Sequence, residues 1–283
     1  MPFGKYDRDP EKPAYAEVAL QDKMPAEGGD NYDVNKKKDH LTAYSFLGSF
    51  CAGEFLGLEE LTSISLYRGI FGEFLACMFF LFSAMVASNA LNGNLISIAF
   101  AFGLAIVILV QIFADISGGH INSAVTVGLL FAGRCSVVRA LLYIPAQIAG
   151  SILGVFLVKW TIPDGQTNWG LGLLAPASGV SDGMAVLMEF LFTSLLILQV
   201  LVCTDGKRTI GKNSNIALSI GLTVLFAHLV LVPIDGCGIN PSRAIASAVV
   251  RNVWDKQWIY WVGPMLAALV APPVYEVILR KSA

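Results

Sequence analysis

Two short stretches hold the residues whose types and spacing could do chemistry: "ADISGGHINSAVTVGLL", Ala114 to Leu130, and "DGCGINPSRAIASAVV", Asp235 to Val250. In each, an asparagine follows a glycine by four positions inside otherwise apolar sequence, Gly118 and Asn122 in the first and Gly236 and Asn240 in the second. The first stretch also carries Asp115, Ser117 and His120, an acid, a hydroxyl and an imidazole such as a hydrolase would assemble. The second stretch has no comparable trio, which argues against an intramembrane enzyme. An ion-coupled transporter would want an ionisable pair at mid-membrane, where these stretches offer asparagines and Arg243. Amides repeated among glycines suit another task, donating hydrogen bonds to a passing neutral molecule.

The elements that must position these residues are apolar. Of 283 residues 55% are hydrophobic and 14% charged, the balance of a polytopic membrane protein. A spanning helix needs about 20 apolar residues, and six windows qualify: 69–90, 95–114, 137–158, 184–203, 215–234 and 258–279. Two apolar pieces, 122–132 and 240–250, are too short to cross. Residues 1–67 contain no spanning stretch and include "NKKKDH"; they read as a largely solvated cytoplasmic tail ahead of a channel domain at 68–281. With the N-terminus inside, Arg68, Arg134, Arg139, Lys207, Arg208, Lys212, Arg280 and Lys281 all fall on the cytoplasmic side, as the positive-inside tendency requires, and both termini are cytoplasmic. The five cysteines follow no metal-ligand spacing, the net charge is −2, and nothing suggests a cofactor, a metal or a nucleic-acid partner.

Residues 69–158 and 184–279 form an internal repeat. Glu73-Phe74-Leu75 opens the first half and Glu189-Phe190-Leu191 the second; Gly103 and Gly221 each stand 19 residues before their asparagine. Each half reads as helix, helix, short piece, helix. Three spans per half is an odd number, so the halves enter the bilayer from opposite sides, and such inverted repeats place the functional site near the midplane. Non-helical backbone at that depth must be buried or line a water-filled cavity. Gly118, Gly119, His120 and Ile121 are expected to present carbonyls from one side, and Gly236, Cys237, Gly238 and Ile239 from the other. Each asparagine then caps a half-helix, and two positive helix ends meeting at mid-membrane repel cations and protons.

The stretches "SGGHIN-AVT", "GINP-R", "YRGIFGEF" and "YWVGP" resemble the aquaporins, the major intrinsic protein family, most of all its plant plasma-membrane intrinsic protein branch, over roughly residues 58–283. The resemblance implies an all-α membrane protein with six transmembrane helices and two re-entrant half-helices. It also implies a homotetramer in the plasma membrane with water as the permeant. It assigns the selectivity constriction to Phe102, His228, Cys237 and Arg243, with ring and guanidinium donating to water, and gives Glu73 and Glu189 the task of holding the loops. It makes Ser136 a candidate phosphorylation site, although a helix cap is an equal reading. It puts Cys237 within reach of mercuric ions from outside. The family's usual triplet is Asn-Pro-Ala twice, whereas this chain reads Asn122-Ser123-Ala124 and Asn240-Pro241-Ser242. That change keeps open an alternative, a channel for hydrogen peroxide, glycerol or a gas.

Overall fold

In this computed structural model the described residues are 53–90, 93–163, 170–206, 208 and 215–280. His40, Cys51, most of the tail and most of the loop at 207–214 lie outside them. The six windows become helices α1 (Ile64–Ala90), α2 (Leu95–Ser117), α4 (Val137–Thr161), α5 (Asp182–Cys203), α6 (Ile216–Asp235) and α8 (Ile259–Val274), the last extended by a wider turn over Tyr275–Leu279. The two short pieces become α3 (Ser123–Phe131) and α7 (Pro241–Arg251). α1 already begins at Ile64, and ahead of it Gly53–Leu56 and Leu58–Thr62 form largely exposed helical turns. A Glu60–Arg139 ion pair fastens that segment to α4.

Four of the long helices start where a side chain accepts from one of the first free backbone N–H groups, Asn94 for α2, Ser136 for α4, Ser181 for α5 and Asn215 for α6. They pack chiefly in the pairs α1 with α4, α2 with α6, and α5 with α8. Small residues set the crossings. A Cβ on Gly103 would lie 2.9 Å from the Gly221 carbonyl oxygen, and one on Gly221 2.7 Å from that of Gly103, so α2 and α6 touch backbone to backbone. Gly150 and Gly154 bring α4 equally close to Phe74 and Met78 of α1, and Ala267 and Ala268 are fully buried on α8. Outward faces carry Phe71, Phe100, Ile108, Leu191, Phe226 and Leu266, side chains suited to lipid.

The half-helices exchange partners. The first-half α3 packs on α8 of the second half, and the second-half α7 packs on α4 of the first.

Candidate functional site

The backbone of the two interrupting stretches repeats itself. Gly118 ends α2 at φ 89° and Gly236 ends α6 at φ 91°. Gly119 (φ 61°) corresponds to Cys237 (φ 62°), and Ile121 (φ 54°) to Ile239 (φ 44°). Cys237 and both isoleucines thus hold a left-handed conformation that costs an L-residue roughly 1–2 kcal/mol, and such strain persists only where the surroundings over-determine it.

Two buried carboxylates do that. Glu73 accepts from the backbone N–H of His120 (2.9 Å) and of Ile121 (2.7 Å), and Glu189 from those of Gly238 (2.6 Å) and Ile239 (2.6 Å). Two further equivalences complete each loop. Ser117 Oγ receives the Gly119 N–H and Asp235 Oδ1 that of Cys237. The Tyr143 hydroxyl donates to the Ser117 carbonyl and the Tyr260 hydroxyl to that of Asp235. Sequence reading found the glutamates and missed Tyr143, Asp235 and Tyr260. The tyrosines follow their asparagines by 21 and 20 residues, and that offset of one hid them from a gap-free overlay.

The asparagines do more than cap. Asn122 Oδ1 accepts from the Ala124 N–H (2.8 Å), while its Nδ2 donates across to the Ile239 carbonyl (2.8 Å). Asn240 Oδ1 accepts from the Ser242 N–H (3.0 Å), while its Nδ2 donates across to the Ile121 carbonyl (2.9 Å). An amide nitrogen carries two hydrogens, so each asparagine keeps one in hand. Both line a cavity of about 940 Å³ that runs from a mouth beside Phe55, Arg134 and Asn215 inward to Phe102, His228 and Arg243.

Those last three residues stand together. The rings of Phe102 and His228 stack at 4.5 Å, and the Arg243 guanidinium lies over Phe102 at 5.5 Å. His228 Nδ1 is 2.9 Å from the Val224 carbonyl. A carbonyl only accepts, so Nδ1 carries a proton, and in the neutral ring Nε2 is left as an acceptor. Arg243 donates from Nη1 to the Gly172 carbonyl (2.6 Å). Among the described residues, His228 Nε2 and Arg243 Nε have no hydrogen-bond partner although both are buried.

Cys237 is fully buried and does not line this cavity. Ser123 and Ser242, the altered motif positions, are also fully covered and off the wall; their hydroxyls bond to each other. Pro241 begins α7, where its missing N–H is not needed. His120 is half-buried on the wall, bonded through Nδ1 to Thr126 (3.1 Å). Ser136 caps α4 through the Arg139 N–H (3.1 Å) at the mouth. Beside it, burial pushes the Cys135 thiol up to about 12.

A model of the major intrinsic protein family matches residues 60–275. The chain belongs to that family. It is 42% identical over 248 residues to "Aquaporin PIP2-4" of Zea mays, covering 80% of this chain and 86% of that one. It is 42% identical over 243 residues to "Aquaporin PIP2-7" of Arabidopsis thaliana, covering 81% and 86%. Among solved structures, the X-ray structure of the aquaglyceroporin from Plasmodium falciparum superposes with a TM-score of 0.69 at 23% identity, over 76% of this chain and 97% of that chain. This major intrinsic protein is accordingly a multi-pass membrane channel with the family's fold, not an enzyme, and six of its helices are long and apolar enough to span.

Proposed function

We propose that the protein is a passive water channel. The observation that carries this reading is the alternation of unspent hydrogen-bonding groups along a narrow path. Asn122 and Asn240 each hold one N–H, His228 Nε2 accepts, and Arg243 Nε donates. A single file of water passing them exchanges its hydrogen bonds group by group without crossing an apolar gap. The stacked Phe102–His228 pair with Arg243 alongside leaves little room for a carbon-bearing solute. The relatives named aquaporins support the same permeant.

Cations and protons are repelled by the fixed charge of Arg243 together with the N-termini of α3 and α7, which present positive dipole ends to the path. By likeness to the plant relatives the channel sits in the plasma membrane as a homotetramer with both termini cytoplasmic, each subunit carrying its own path.

Stopped-flow shrinkage of proteoliposomes tests the reading. Water permeability should exceed that of empty vesicles at least tenfold, with no matching rise for glycerol. Equal shrinkage of loaded and empty vesicles would sink it.

A further inference from the structure

The hydroxyls of Ser123 and Ser242 meet across the junction of the two half-helices, and both side chains are fully buried. Ser123 occupies the first position after its asparagine and Ser242 the second. Under the internal repeat the equivalent pair is Pro241 and Ala124, also buried, also one residue from each half. One of two equivalent places at the junction is therefore apolar and the other polar, with both partners of the polar one changed together.

The polar pair is not isolated. Ser123 Oγ also reaches Gln147 Oε1 (3.2 Å), and Gln147 Nε2 donates to Glu73 Oε2 (2.8 Å) and Thr126 Oγ1 (2.9 Å). Glu73 in turn holds the His120 and Ile121 N–H groups, and Ile121 supplies the carbonyl that orients Asn240. On the other side, the Ser242 N–H is held by Asn240 Oδ1. The serine contact thus closes a ring of bonds through Gln147, Glu73, Ile121 and Asn240 while standing off the cavity wall.

We infer that Ser123 and Ser242 are positioning residues: their mutual hydrogen bond sets the separation of the half-helix ends and so the aim of Asn122 and Asn240, and with it the discrimination of water from larger neutral solutes. This rests on the water-channel reading. Removing one hydroxyl leaves its partner buried with a lost bond, whereas replacing both with shape-matched apolar groups removes donor and acceptor of that bond together and leaves Gln147, still held by Glu73 and Thr126, short of one contact. Pro241 and Ala124, the buried residues at the repeat-equivalent positions, name the apolar groups to substitute.

The test measures water and glycerol permeability, normalised to folded channel, for the parent, Ser123→Pro, Ser242→Ala and the two combined. Each single change should lower the ratio of water to glycerol permeability at least threefold, and the combination should bring it back to within twofold of the parent. Ser123→Ala, which leaves backbone freedom nearly unchanged, repeats the Ser123 arm should the proline variant not fold alone. Singles whose ratio equals the parent's would overturn the inference, because a packing role alters the amount of folded channel and not its selectivity. A combination no better than the worse single would overturn it too. A parent that fails to conduct water refutes the underlying reading instead, which separates the two failures.

Discussion

At the scale of single residues, Glu73 shows how a buried carboxyl group becomes structural. Every partner of Glu73 is a donor: Ser117 Oγ, Gln147 Nε2 and the N–H groups of His120 and Ile121. Glu73→Gln would turn one acceptor oxygen into an NH2 facing a donor. The loss of a charge-assisted bond and the orphaned N–H should together destabilise by about 2–4 kcal/mol, read as a lower midpoint in thermal unfolding of the detergent-solubilised channel. A midpoint unchanged in Glu73→Gln would show the loop held by other means. Cys237 gives a second residue-level expectation. With its thiol covered, mercuric ions should leave water permeability within about twofold of untreated protein, and Cys237→Ser should respond like the parent; fast, thiol-reversible block lost in Cys237→Ser would place the thiol on the path after all.

At the scale of elements, the six spans, the two half-helices and the repeat were legible because hydropathy and an offset of 19 residues are one-dimensional facts. Start points were less so: α1 begins at Ile64, five residues ahead of the apolar window, with the Ser63 hydroxyl accepting from the Ser65 N–H. The cross-junction bonds from Asn122 to Ile239 and from Asn240 to Ile121 were hidden, as each joins residues more than a hundred positions apart. Glycines at helix crossings were readable in type, and the structure adds their severity. A Cβ at Gly150 runs into the Phe74 carbonyl oxygen, backbone that cannot swing aside. Gly150→Ala should therefore separate α4 from α1 and cost about 1–3 kcal/mol. Folded yield and thermal midpoint should both fall, and parent-like values would mean the α1–α4 contact tolerates the methyl.

At the scale of the molecule, the wide end of the cavity bears on acid response. Its mouth is bounded by Glu60, Arg134, Arg139 and Asn215, and Arg134 pairs with Glu276, itself paired with Arg280. Among the described residues no histidine belongs to this rim, and histidine is the side chain whose ordinary pKa, about 6.5, lies between pH 7.5 and 6. A rim group with that pKa would gain positive charge across the interval; the described rim has none, and water permeability should change by less than about twofold. Steep reversible closure there would contradict this, and its loss in His120→Ala would assign the sensor to the deeper ring. The proposed tetramer expects a native mass four times that of the 30.3 kDa chain, the detergent belt subtracted. Finally, the exchange of half-helices between repeats bears on how the protein is made. When the ribosome has delivered only the first three spans, α3 has no α8 to lie on and the Asn122 amide has no Ile239 carbonyl to meet. A nascent first half is therefore a hairpin of helices holding an unfinished wall, and the channel comes into being only when its last span arrives.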